Sequence, residues 1–164
     1  MKTAEQWISD LSLEAHPEGG FYSRLYESEK KIATENGNRA SATAIHYLLE
    51  QGDFSGWHKI KHDELWFFHT GEPLTVHQID ATGKLISTTL SNNHNVSLTV
   101  KGNTWFSSEL SATNKASTTV KQYSLVSCVV SPGFDFLDFE MGNKEFLTSL
   151  YPMHRDVICR LCRE

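Results

Sequence analysis

The most informative segment of the chain is GDFSGWHKIKHDELWFFHTG, residues 52–71. It contains His58, His62 and Glu64, whose numbers are all even. Side chains alternate between the two faces of an extended strand, so these three point to one side if the segment runs without a bulge. Two imidazoles and a carboxylate that face one interior can bind a divalent metal or act as acid and base. The segment therefore predicts a polar site inside a β-structure.

Short segments rich in aromatic and β-branched residues lie on both sides of it, as is typical of β-strands. Turn sequences such as DATG (80–83) and SPG (131–133) separate them. The middle of the chain has no helix of the length that a crossover between parallel strands requires. We therefore expect an antiparallel sandwich, jelly roll or barrel. The predicted strands are 21–27, 42–49, 64–69, 75–79, 84–90, 96–100, 123–130 and 134–139.

Helical patterns are confined to the two ends of the chain. Thr3 and Gln6 have the spacing of a capping box, and apolar residues follow at helical intervals. Asn143 can cap a second helix, and a third apolar stripe follows Pro152. The polar stretch 27–39 predicts a mobile loop. The pattern thus predicts one all-β domain over residues 1–164, with a short N-terminal helix and short C-terminal helices.

Composition limits the partners. The 164 residues carry 15 Lys and Arg against 20 Asp and Glu, a net charge of −5, and the basic residues form no stripe, which argues against nucleic acid. No apolar run approaches the roughly 20 residues that span a bilayer, and the first residues do not resemble a signal peptide. An odd count of three cysteines favours reduced thiols. We therefore expect a cytoplasmic protein without a membrane partner.

The spacing in 52–71 resembles the first signature of the cupin superfamily, which is Gly, five residues, His, one residue, His, three or four residues, Glu, six residues, Gly. The matching positions are Gly52, His58, Glu64 and Gly71. Ile60 stands where the second histidine belongs, and His62 is displaced. The second signature is reduced to a glycine within VKGNTWF, 100–106. The resemblance therefore implies that the usual fourth metal ligand is missing.

Four further runs resemble the small Cupin 5 family: HPEGGFYSRLYES (16–28), 43–74, VSPGFDFLDFEMG (130–142) and SLYP (149–152). The resemblance implies a double-stranded β-helix, the cupin jelly-roll barrel, with an internal pocket and commonly a homodimer. Strand 21–27 could pair across the twofold axis of that dimer and hide an open edge. The family is largely without assigned function. By analogy, 16–28 also links the chain to the sugar-nucleotide epimerase branch of cupins.

The first functional hypothesis is a cupin-type binding protein or enzyme whose ligand is a small polar metabolite, such as a carbohydrate derivative. If it is an enzyme, we expect a metal-independent isomerase or epimerase. His58, with the near-neutral pKa of an ordinary imidazole, would remove a proton next to a carbonyl, and Tyr22 would return one to the opposite face. The residues expected to bind the ligand are Glu18, Arg24, Tyr47, Glu64 and Trp66. Aromatic residues in strands, such as Tyr47 and Trp66, are more often plain core, and the residues of 18–24 are equally typical of a dimer interface.

Two alternatives remain open. A metal-dependent dioxygenase or isomerase could use His58, His62 and Glu64 as ligands, with water completing the coordination shell. The protein could instead be a non-catalytic binding module, in which His58 and Glu64 are a buried polar pair that satisfy each other.

Overall fold

The computed structural model describes residues 2–111 and 121–163. Two short 3-10 helices, Phe136–Asp138 and Pro152–His154, accompany the regular elements. In chain order those elements are α1 (Ala4–Asp10), β1 (Glu14–Ala15), β2 (Phe21–Glu27), β3 (Lys31–Thr34), β4 (Gly37–Ala40), β5 (Thr43–Glu50), β6 (Phe54–Ile60), β7 (Asp63–Gly71), β8 (Leu74–Ile79), β9 (Leu85–Leu90), β10 (Ser97–Val100), β11 (Trp105–Leu110), β12 (Tyr123–Ser131), β13 (Phe139–Met141), α2 (Lys144–Leu150) and α3 (Arg155–Leu161).

Two antiparallel sheets form the body of the molecule. The first sheet has the order β1-β2-β5-β12-β7-β10, and the second has the order β13-β6-β11-β8-β9. The remaining two strands form the β3–β4 hairpin. The pairings between these strands are antiparallel throughout the described residues. The predicted all-β jelly-roll class, with small helices at the chain ends, is therefore confirmed.

The main core lies between the two sheets. It joins Trp66 and Val126 of the first sheet to Val76 and Phe106 of the second, each at most 1 % exposed. Helix α1 covers part of the other face of the first sheet, and α2 and α3 cover part of the second. Several strands are thus buried on both faces, and β12 is buried along almost its whole length rather than at alternate positions.

One predicted strand, 134–139, is wrong over most of its length. The side chain of Asp135 accepts a hydrogen bond from the backbone N–H of Leu137 at 2.9 Å and starts the 3-10 helix Phe136–Asp138. The strand begins only at Phe139. A local side chain to backbone bond has replaced the sheet pairing that the apolar pattern predicted.

The predicted mobile loop at 27–39 is also wrong, because most of it forms the β3–β4 hairpin. Two side chains anchor the hairpin to the barrel. Arg39 Nε donates to Asp138 Oδ2 at 2.7 Å, and Asn36 Nδ2 donates to Asp138 Oδ1 at 2.7 Å. The Arg39 and Asp138 side chains are nearly inaccessible to water. Most polar side chains of this segment are exposed, but Arg39 is buried and, with Asn36, satisfies a buried carboxylate.

The prediction missed strands β6 and β11 because their composition is not typical of strands. Gly56 interrupts the apolar pattern of β6, and β11 contains Ser107 and Ser108. Both serines are fully buried. Pairing with neighbouring strands, not an alternating apolar pattern, makes these segments strands.

The helices begin where the capping residues predict. Thr3 Oγ1 accepts from the backbone N–H of Gln6, and Asn143 Oδ1 accepts from that of Phe146. Each α-helix has seven residues, and none in the described parts of the chain is long and apolar enough to cross a membrane.

Helix α2 offers a direct test of the packing between the helices and the second sheet. Leu147 is fully buried, whereas Leu150 in the same helix is 50 % exposed. We expect Leu147→Ala to lower the free energy of unfolding by about 2–5 kcal/mol, since it leaves a cavity. The matched control Leu150→Ala should stay within about 0.5 kcal/mol of the parent. Denaturant unfolding measures both, and equal effects would contradict the packing described.

Candidate active site between the sheets

A small cavity of about 50 Å³ lies inside the molecule. His58 and Glu64 both line it, so the structure brings these two predicted residues to one interior. The remaining lining residues are His16, Glu18, Tyr22, Arg24, Ile45, Ile60, Phe134, Phe136 and Phe139. Ionisable groups thus meet an apolar wall in a space that holds only a few small molecules the size of water.

Strand β6 fixes the orientation of His58. The ring packs on Phe106 and Phe139, with centroid distances of 4.1 and 5.4 Å. Nδ1 lies 2.7 Å from the carbonyl oxygen of Gly56. A carbonyl only accepts, so Nδ1 carries the proton and Nε2 is the basic nitrogen of the neutral ring.

Glu18 reaches His58 from a turn that precedes β2. Gly19 in this turn has φ +114°, and a Cβ there would lie 2.1 Å from the carbonyl oxygen of Phe54. The turn therefore requires glycine. The backbone N–H of Gly56 donates to the carbonyl of Glu18 at 2.7 Å, which joins the turn to β6.

The carboxyl group of Glu18 is the immediate partner of His58. Glu18 Oε2 lies 3.0 Å from His58 Nε2, and Ser55 Oγ donates to Glu18 Oε1 at 3.0 Å. The two side chains of the pair are less than 10 % exposed. This contact is the central geometric feature of the cavity.

Burial favours the neutral form of both members of the pair. It lowers the pKa of His58 to about 4 and raises the pKa of Glu18 above its ordinary value, since both charged forms lose hydration. The neutral pair places the proton on Glu18, whose O–H donates to His58 Nε2. The ordinary, near-neutral pKa expected for His58 is therefore wrong, because that value belongs to a solvated imidazole.

Glu64 also carries a proton at neutral pH. Burial and, second, the negative charge that Glu18 can bear raise its pKa to about 8. Its side chain projects from β7 into the cavity. A protonated carboxyl can donate a hydrogen bond, so Glu64 is a neutral donor next to the Glu18–His58 pair.

His16 is a cavity residue that the sequence analysis did not select. Its Nδ1 accepts from the backbone N–H of Glu18 at 3.2 Å, and burial lowers its pKa. Its ring meets that of Tyr22 edge to face, with centroids 4.6 Å apart. The available signal was its place in 16–28, two residues before Glu18.

Strand β2 contributes Tyr22 and Arg24, which lie two residues apart and both line the cavity. Tyr22 is half-buried, whereas Arg24 is exposed. Arg24 Nη1 lies 3.8 Å from Glu27 Oε2, an exposed pair that adds little stability. We therefore regard Arg24 as a cation at the cavity mouth.

Three phenylalanines form the apolar side of the cavity: Phe134, Phe136 and Phe139. Their ring centroids lie 5.0–6.0 Å apart. Phe136 is 52 % exposed, so this wall extends from the interior to the mouth. The sequence analysis treated these rings as part of a strand rather than as site residues.

Tyr47 and Trp66, predicted to bind ligand, lie in the core and are absent from the cavity lining. Their ring centroids are 5.9 Å apart, and each side chain is 1 % exposed. The Tyr47 hydroxyl donates to the carbonyl of Gly19 at 2.8 Å. These two side chains are therefore part of the core, the alternative that the sequence left open.

His62 lies outside the cavity. It occupies the turn between β6 and β7, and its Nε2 is 3.6 Å from Asp138 Oδ2. Residues 58, 62 and 64 would share a face only on one continuous strand, and the turn interrupts the strand between them. The ligand set His58, His62 and Glu64 is therefore not assembled.

The other cavity groups do not fit a metal centre either. His58 Nε2 and Glu18 Oε2 point at each other at hydrogen-bond distance, and His16 Nδ1 is bound to a backbone N–H. Over residues 2–111 and 121–163, no three His, Cys, Asp or Glu side chains are arranged to hold a metal ion.

The fold and this interior site together define a cupin. The profile of the Cupin_5 family, described as cupin superfamily (DUF985), matches residues 5–142. The chain belongs to this family, as its resemblance predicted.

Two solved structures are similar over nearly their full lengths. A structural-genomics protein from Shewanella oneidensis is 35 % identical, with a TM-score of 0.87 and coverage of 99 % of each chain. A hypothetical protein from Leishmania major is also 35 % identical, with a TM-score of 0.90 and coverage of 99 % of this chain and 100 % of that one.

A more distant similarity reaches an oxalate decarboxylase from Bacillus subtilis, in a mutant form. It is 12 % identical, with a TM-score of 0.57, and the match covers 94 % of this chain but 38 % of the decarboxylase. At this identity the similarity supports the fold alone. A search of curated proteins gives no match.

The raised pKa of Glu64 predicts how stability depends on pH. Between its ordinary value near 4.5 and about 8, the folded state holds a proton that the unfolded state has lost, so stability falls as pH rises. His16, His58 and His69 act oppositely, because burial lowers their pKa values below the 6.5 of the unfolded state. Between pH 7 and 8 the unfolded histidines have lost most of their protons, so Glu64 dominates the slope, at no more than about 1.4 kcal/mol per pH unit.

We expect the melting temperature of the parent to fall between pH 7 and 8. Glu64→Gln should flatten this slope, because it removes the group that releases its proton on unfolding. The control Glu29→Gln, at an exposed position, should keep the parental slope. Differential scanning fluorimetry across pH tests this, and an unchanged slope in Glu64→Gln would sink the assignment.

Proposed function

We propose that this cupin binds a small polar metabolite in the cavity and catalyses metal-independent proton transfer next to a carbonyl, as in isomerisation or epimerisation. The observation that supports it is the hydrogen-bonded Glu18–His58 pair, which shares a cavity with the neutral donor Glu64. Enolisation requires a base and a neutral acid, and both line this small cavity.

In this proposal His58 Nε2 is the base. When substrate enters, Glu18 turns its O–H away from Nε2, and the proton of the C–H bond next to the carbonyl moves to that nitrogen. The electron pair of the broken bond moves onto the carbonyl oxygen, which Glu64 stabilises by donating a hydrogen bond. His58 is a weak base, as its pKa of about 4 implies. The reaction therefore depends more on stabilising the negative charge on the carbonyl oxygen than on the strength of the base.

Tyr22 is the proposed acid that returns a proton to the opposite face of the substrate. Burial raises its pKa, which keeps the hydroxyl protonated before the reaction. The half-buried position of Tyr22 allows the tyrosinate to recover a proton from solvent.

The proposed partner is thus a small molecule rather than a nucleic acid. The proposed compartment is the cytoplasm, whose reducing conditions suit the three free thiols at Cys128, Cys159 and Cys162.

Solvent exchange tests the proposal. We expect the protein to accelerate deuterium incorporation into pyruvate or dihydroxyacetone in D₂O, measured by proton NMR. His58→Asn should slow that exchange by about 100-fold or more, since it removes the base. Glu18→Gln should also slow it, because the partner of Nε2 is altered.

The matched control is His69→Asn, since His69 lies outside the cavity and is bound to Ser127. It should exchange at the parental rate. Parental exchange no faster than that of His58→Asn, with both compounds, would refute catalysis. Ligand binding without exchange would instead favour a non-catalytic binding module.

We also propose that the protein is a homodimer joined through β2. Strand β1 pairs only with Phe21 and Tyr22, so among the described residues no strand covers the outer edge of β2 beyond Tyr22. Leu25 and Tyr26 on this edge are 55 % and 54 % exposed. An open edge with exposed apolar side chains is a typical site of strand pairing between chains.

Light scattering at micromolar concentration should give twice the mass of the chain. Leu25→Lys should shift the protein to monomer, because it places a charge at the twofold contact. The matched control Ile86→Lys alters an exposed residue on the edge strand β9 of the second sheet and should remain dimeric. A monomeric parent would contradict the proposal.

A further inference from the structure

One residue that lines the cavity is permanently charged. Among the described lining residues Arg24 is the only Lys or Arg, and it lies at the exposed end of the cavity. Burial favours the uncharged forms of the two carboxyls and two imidazoles in the cavity, because it raises the pKa values of carboxyls and lowers those of imidazoles. These groups are His16, Glu18, His58 and Glu64. A ligand therefore meets a positive charge at the mouth and an interior that favours uncharged polar groups.

Arg24 is able to accept an anion. The ion pair that the structure gives it is with Glu27, at 3.8 Å and with both side chains more than a third exposed. Such pairs contribute little and exchange readily with solvent. A guanidinium offers two parallel N–H donors, a geometry that matches a carboxylate.

The size of the interior limits the part of the ligand that extends past its anionic group into the cavity. About 50 Å³ is room for roughly three or four water molecules, whereas pockets for drug-sized ligands are typically about 300–1,000 Å³. A sugar nucleotide does not fit. The phenylalanine wall, with Phe136 half exposed, offers a flat apolar face to a short carbon chain.

We propose that the ligand is a short-chain oxo carboxylate, whose carboxylate pairs with Arg24 at the mouth while its keto oxygen accepts a hydrogen bond from Glu64 inside. The assignment of the keto group rests on the proposed function, because enolisation needs a carbonyl at the acid–base groups. A monoanion matches the single guanidinium. A phosphate ester, with a charge of about −1.5 to −2, would leave charge unpaired.

Calorimetric titration with three probes tests the inference. Pyruvate is the oxo carboxylate, hydroxyacetone is its neutral counterpart, and dihydroxyacetone phosphate carries the larger charge. We expect pyruvate to bind at least tenfold more tightly than the other two. Arg24→Gln should weaken pyruvate binding by about tenfold or more and change hydroxyacetone binding by less than twofold, since it removes a charge-assisted pair.

Arg155→Gln is the matched control, because Arg155 is exposed on α3 and outside the cavity lining. It should bind pyruvate like the parent, and unchanged melting temperatures show that both variants fold. Glu64→Leu should weaken pyruvate and hydroxyacetone alike, since both present a carbonyl oxygen.

The outcomes separate this inference from the proposed function. Equal binding of pyruvate by the parent and Arg24→Gln, tighter binding of hydroxyacetone or the phosphate ester, or no binding of pyruvate would each overturn the oxo carboxylate. Arg24-dependent binding of pyruvate without His58-dependent exchange would uphold the ligand class and refute the catalysis. Deuterium exchange into dihydroxyacetone but not into pyruvate would uphold the catalysis and refute the ligand class.

Discussion

The hydrogen bond between Glu18 and His58 is the contact on which the cavity depends. It joins the turn before β2 to strand β6, two segments 40 residues apart in the chain. The turn approaches β6 so closely that only glycine fits at position 19. A side chain there would push the turn outward, separate the pair and open the interior to water. The glycine at position 19 is therefore required for the contact between Glu18 and His58.

Burial decides the chemistry of the site more than charge pairing does. A buried carboxylate or imidazolium loses its hydration, and a cavity this small supplies too few partners to replace it. The groups respond by becoming neutral, with the pKa of Glu64 raised to about 8 and that of His58 lowered to about 4. The interior thus offers hydrogen-bond donors and acceptors without net charge, and the fixed charge of Arg24 remains at the mouth.

The wall of the cavity depends on a segment far from it in sequence. Asp138 lies between Phe136 and Phe139, and its carboxylate is bound by Arg39 and Asn36 of the β3–β4 hairpin. The segment that carries these two rings is therefore held by a buried ion pair. The hairpin that composition presented as a loop supports the geometry of the interior, because its polar residues are partners for a buried charge.

The sequence by itself determined the class of fold, since short apolar segments, turn residues between them and capping residues at the ends all act locally. It also indicated that His58 and Glu64 face inward. Tertiary structure alone decided which polar groups meet. It joined Glu18 and His16 to His58, placed Tyr47 and Trp66 in the core, and left His62 in a turn. The physical reason is that periodicity along a strand encodes the face of a side chain, whereas its depth and its partners depend on segments packed against it from distant parts of the chain.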